Sequence, residues 1–197
     1  MNLRRGDKKK MKDFISIVKN NPNQYYYIKS NLKKLINDGV DINTCISYTV
    51  LHLAIKLKNL RLLKMFIANG ANLNLADEAG FTPLHLAVLE NSLDFVKVLV
   101  QNGCDLNLGG EIEQTPLHLA VSNGRLEIAK YLIEQKADIW AVDELHNLPL
   151  DYAIDEKDIN MINLLSQYQE IDDIRLEKIK AIERKVIYVR NNQRLSA

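Results

Sequence analysis

The sequence predicts an all-α fold: a solenoid of stacked helix pairs, followed by one more helix at the C-terminus. A hexapeptide recurs at a fixed step of 33 residues, as Thr49-Val50-Leu51-His52-Leu53-Ala54, Thr82-Pro83-Leu84-His85-Leu86-Ala87 and Thr115-Pro116-Leu117-His118-Leu119-Ala120. A weaker copy, Leu148-Pro149-Leu150-Asp151-Tyr152-Ala153, lies one step further on. Helix-end signals keep the same register, at Gly70-Ala71-Asn72, Gly103-Cys104-Asp105 and Lys136-Ala137-Asp138. Self-similarity at such a period marks a repeat array, in which each unit buries its apolar face by stacking on the next. The alternating apolar and polar pattern of half-buried strands is absent.

The motif positions have local reasons. Thr82 and Thr115 suit the cap of a helix whose first turn holds Pro83 or Pro116, where a missing N–H is not needed. The Leu-x-x-Ala spacing puts a large and a small side chain on one helical face, so neighbouring helices can approach closely. Gly70 and Gly103 stand where the second helix stops and a left-handed residue is favoured. Leu93, Val96, Leu99 and Val100 give that second helix an apolar stripe of its own. The step from Gly39 to His52 is two residues shorter than that from Gly70 to His85, so the first inter-repeat loop is expected to be shorter.

In period and motif this resembles the ankyrin repeat, over roughly residues 32–168. The resemblance implies an ankyrin-repeat solenoid of helix pairs with β-hairpin fingers, curved so that fingers and inner helices line a concave face. The expected organisation is a basic tail (1–12), a degenerate N-terminal capping repeat (13–43), repeats one to three (44–76, 77–109, 110–142) and a degenerate fourth repeat (143–169). An amphipathic helix (170–190) and a tail (191–197) follow. On the C-terminal helix Ile179, Ile182, Val186 and Val189 share a face, which Arg175 and Lys178 interrupt in its earlier half. That helix folds over repeat four, associates with a second copy, or lies on a membrane surface; the last is disfavoured because its face has no Trp or Phe.

Charge is unevenly spread. Residues 1–12 carry six basic residues against Asp7, and residues 174–197 carry seven against Glu177 and Glu183, which leaves the body between them at −9. Such a body repels phosphate backbones and membrane headgroups, so nucleic acid and membrane are not expected partners. No apolar run is long enough for a membrane helix, and the N-terminus lacks the apolar core of a secretory signal. Cys45 and Cys104 read as free thiols of a reducing compartment, hence a cytoplasmic location. The heavy use of Lys, Asn and Ile suggests an AT-rich genome and, by analogy, a host-directed effector in a host cytosol.

No catalytic, cofactor or metal site is expected. His52, His85 and His118 are a whole repeat apart, too far to share a metal, and read as structural. There is no C-x-x-C, P-loop or G-x-S-x-G, and Gly109-Gly110 reads as turn permissiveness. The expected function is protein–protein interaction, as adaptor or effector. The alternatives are an oligomeric scaffold built through the C-terminal helix and a regulatory subunit of an enzyme complex.

The resemblance places binding on the fingers and the concave face. The finger positions hold Ile46, Tyr48, Phe81, Ile112 and Leu145, and positions after the inner helices hold Leu57, Leu89, Glu90, Ser122 and Asn123. Glu78 and Glu111 border the row, and Trp140 stands where the family usually has Asn, as a packing plug or a binding anchor. The apolar row either packs finger on finger or forms an interface. The expected partner is a protein with a basic, partly apolar surface that meets repeats one to three, with Tyr48 and Phe81 as anchors.

Overall fold

The structure, a computed structural model, describes residues 5–45, 47–168, 170–182 and 184. Five helix pairs follow one another: α1 (Arg5–Asn20) with α2 (Tyr25–Asn37), α3 (Val50–Lys56) with α4 (Leu60–Ala68), and α5 (Pro83–Leu89) with α6 (Leu93–Gln101). Then come α7 (Pro116–Ser122) with α8 (Leu126–Glu134) and α9 (Pro149–Asp155) with α10 (Ile159–Ser166). The short helices α3, α5, α7 and α9 stack into an inner row, and α2, α4, α6 and α8 stack outside it, with α10 against α8 and α9. A last helix, α11, occupies residues 173–182.

The repeated hexapeptide is a capping device. The Oγ1 of Thr49, Thr82 and Thr115 accepts from the backbone N–H of the histidine three residues on. The histidine Nδ1 accepts the threonine N–H in return. Leu51, Leu84, Leu117 and Leu150 are fully buried, as are Ala54, Ala87, Ala120 and Ala153. Gly70 and Gly103 end the outer helices at φ of +84°, and Lys136 takes the same left-handed turn at +73°.

Among the described residues no strand forms. The fingers are tight turns whose base is closed by a backbone hydrogen bond, with at least one more inside each turn. Asp77 N–H donates to Phe81 O (2.9 Å), Gly110 to Gln114 (2.8 Å) and Asp143 to Asn147 (3.2 Å). Neighbouring tips are also joined, Glu78 N–H to Ser47 O (3.2 Å) and Glu144 N–H to Ile112 O (3.1 Å).

The ends differ from expectation in two ways. The basic segment is not a tail from residue 5 onward, because α1 starts at Arg5. Met11, Phe14, Ile15 and Val18 make one continuous buried stripe, so the apolar period reaches back among the lysines, which face outward. At the other end α11 is docked on its own chain. Arg175 Nε and Nη2 donate to Asp151 Oδ1 and Oδ2 (2.7 and 2.6 Å), and Nη1 pairs with Asp172. Ile179 is buried in the common core. A face that needs Ile179 exposed for self-association is therefore not presented; Val186 and Val189 lie outside the described residues.

Candidate functional site

Each motif histidine ties its helix to the next finger. Nε2–H of His52, His85 and His118 donates to the carbonyls of Phe81 (2.9 Å), Gln114 (2.9 Å) and Asn147 (3.1 Å). A carbonyl can only accept, so Nε2 carries the proton and Nδ1 accepts, 2.8–2.9 Å from the capping threonine Oγ1. Burial pushes all three below the usual histidine range, His85 to about 4. They hold the fingers in place and are neutral when doing so.

An aspartate shapes each finger that has one. Asp77 Oδ1 accepts the N–H groups of Ala79 and Phe81, and Asp143 Oδ1 those of Leu145 and Asn147. Burial alone would raise Asp143, yet hydrogen bonds from Tyr152 (2.5 Å to Oδ2), Asn147 and Leu145 hold it below the ordinary carboxylate range. Gln114 donates to the same Tyr152 hydroxyl (2.6 Å), so fingers three and four share one polar network. The third finger has Gly110 at the aspartate position. Its φ is negative, so turn permissiveness is not the reason for glycine; a Cβ there would sit 3.0 Å from the Phe81 ring and 3.1 Å from His85 Nε2. Close approach is what glycine eases there.

The expected binding residues fall into distinct groups. Phe81 is half-buried between His85 (ring centroids 5.8 Å apart) and the backbone of Gly110, so it packs finger on finger. Tyr48 is half-buried beneath Lys19 and Lys56, each Nζ 5.2 Å from its ring centroid. Leu57 and Leu89 pack against the core, and Glu90 pairs with Lys58 at 3.9 Å. Asn123 Nδ2 and Ser122 Oγ donate to Leu119 O at the end of α7. Glu78 and Glu111 are exposed, and Ile46 lies outside the described residues.

Among the described residues, four exposed large apolar side chains stand on fingers three and four, and the others are Tyr26, Tyr27 and Ile36 of the first helix pair, Tyr168 after α10 and Ile174 on α11. Ile112 is 39% exposed, Trp140 52%, Val142 56% and Leu145 63%, with the exposed Glu111, Glu113 and Glu144 among them. Trp140 is thus no packing plug. It continues a register of Asn43, Asn74 and Asn107, whose Oδ1 atoms accept N–H groups of the following repeat, Asn72 (2.6 Å), Asp105 (2.9 Å) and Asp138 (2.8 Å). Val142 was not singled out from sequence, although it is the one large apolar residue in register with Ala76 and Gly109.

Among the described residues no group of His, Cys, Asp and Glu is placed to hold a metal ion, and no helix is long and apolar enough to cross a membrane. Cys104 is buried, and burial pushes its thiol up to about 12, away from nucleophilic use.

These features define a helical-repeat solenoid whose repeats are joined, helix to finger, by buried histidines. The family model for ankyrin repeats (3 copies) matches residues 24–110 and 106–175, and the chain belongs to that family. Ankyrin repeats are in general protein–protein interaction modules. A comparison with curated proteins finds no match.

Proposed function

We propose that this chain is a protein-binding adaptor or effector whose main recognition face is made by fingers three and four. One observation carries this: Ile112, Trp140, Val142 and Leu145 are exposed on two neighbouring fingers, whereas Tyr168 is the one other exposed large apolar residue among the described residues of repeats one to four. A cluster of this kind, holding a Trp and rimmed by acids, has the composition of a binding hot spot. The bordering Glu111, Glu113 and Glu144 favour a partner with a basic, partly apolar surface, which opposite charge steers into register.

The test is affinity capture with the full chain as bait, comparing wild type, Trp140→Ala with Leu145→Asp, and Lys97→Glu on the outer helix α6. Partners retained by wild type and Lys97→Glu but lost from the finger variant support the assignment. Equal capture by all three, or loss only with Lys97→Glu, places the site elsewhere.

A further inference from the structure

The −9 of the body conceals two oppositely charged parts. Residues 13–64 carry eight Lys and Arg against three Asp, a net +5 that residues 1–12 raise to +10, whereas residues 65–173 carry five against nineteen acids, a net −14. At the basic end a cavity of about 350 Å³ opens between α1 and the first finger. Lys12, Ser16 and Lys19 line it from α1, and Ser47 and Tyr48 from the finger. Lys56, at the end of α3, reaches the same tyrosine, so the ring lies within 5.2 Å of two ammonium groups. Ile15, almost wholly buried, adds an apolar lining residue.

Among the described residues no carboxylate lines the cavity, and Lys12, Lys19 and Lys56 form no ion pair. The nearby Lys10 and Lys58, by contrast, have Asp38 and Glu90. Lys12 and Lys19 in the lining and Lys56 beside the same tyrosine repel one another, and an anion placed between them removes that repulsion while gaining its own attraction.

We propose that this cavity binds an acidic segment of a partner protein, with carboxylates on Lys12, Lys19 and Lys56 and an apolar side chain against Tyr48 and Ile15. A peptide fits better than a nucleic acid for two reasons. The cavity holds one aromatic ring, half-buried and shared by two ammonium groups, where a platform for successive bases needs several. The −14 segment that follows repels an extended phosphate backbone but leaves a short acidic segment unaffected beyond a screening length. The partner chemistry is opposite to that of fingers three and four, and no residue is shared with that face.

The probe is a fluorescein-labelled peptide of alternating glutamate and leucine, titrated with the full chain and read by anisotropy. A peptide with lysine replacing glutamate, a single-stranded oligouridylate of equal length and phosphatidylserine vesicles serve as the other arms. The acidic peptide should bind best. Its affinity should fall at least about tenfold in Lys19→Glu with Lys56→Glu, fall with added salt, and be unchanged in Trp140→Ala with Leu145→Asp. Both lysines are exposed, and circular dichroism checks the fold, with the Lys→Gln pair replacing the charge reversal if it fails. Absence of binding, equal binding by the charge-reversed variant, or tighter binding of oligouridylate or vesicles through the same lysines would overturn the proposal. Because the finger variant is a control here, failure of this site leaves the finger assignment standing, and the reverse.

Discussion

Gly110 and Trp140 break the repeat's residue pattern for different reasons. At Gly110, which stands at the finger aspartate position, a Cβ would press on Phe81 and His85 at 3.0–3.1 Å. Gly110→Ala should therefore destabilise the chain by about 1–3 kcal/mol, with Phe81 displaced, although φ is ordinary at this position. Thermal unfolding checks this; an unchanged midpoint would mean that the third finger shifts freely. Trp140 ends the asparagine series where no fifth finger follows. Asn74 and Asn107 each accept a backbone N–H from the repeat ahead, so their side chains are structural. Trp140 is half-exposed, and Trp140→Asn should change stability by less than about 0.5 kcal/mol while weakening partner capture. A large loss of stability would instead make the indole part of the fold.

At the scale of elements, the informative pair is α9 and α11. Repeat four has Asp151 at the motif histidine position. Asp151 still accepts the Leu148 N–H (2.9 Å), as histidine does for threonine, but its carboxylate also receives the guanidinium of Arg175. Burial raises Asp151, yet Arg175 and the Leu148 N–H outweigh it and hold the carboxyl below its usual range. Both side chains are at least three-quarters buried, so the pair is less screened than a surface ion pair. A double-mutant cycle of Asp151→Ala and Arg175→Ala should give a coupling of about 1–3 kcal/mol. Arg175→Ala should also speed amide exchange across residues 173–182, since Ile179 then holds α11 with less help. Coupling near zero would reduce the contact to a surface pairing.

Over the whole molecule, three buried neutral histidines make stability depend on pH. Their folded pKa values lie below the ordinary 6.5, so the unfolded chain takes up protons first as pH falls. Stability should be complete above about pH 6.5 and decline down to about 4, the value for His85. Below that, protonation of Asp143 and Asp151, both held under their usual 3.8, continues the loss. Because each histidine joins one repeat to the next finger, the acid transition should loosen the stack between repeats rather than melt one of them. Urea midpoints measured from pH 8 to 4 test the first part. A flat profile would mean that the histidines are solvated.

The period, the capping threonines, the prolines at the first helical turn and the helix-ending glycines are local, so the helix pairs and their order were legible in the residues alone. So was the structural role of the histidines, because their spacing is that of the repeat. The proposed recognition surface was legible only in part. Phe81 and Ile112 occupy finger positions with the same apolar character, yet one is pressed under the following finger and the other is left outside, which depends on Gly110 at a site 29 residues away. Tyr48 read as an anchor for a basic partner, but Lys19 from α1 and Lys56 from α3 converge on its ring and reverse the charge of its surroundings. Arg175 looked like an interruption of an apolar stripe until Asp151 came within reach. Local pattern decides which turn a residue makes; which side chains stay exposed, and what charge surrounds them, is decided by contacts between segments distant in sequence, and these exist only once the repeats have stacked.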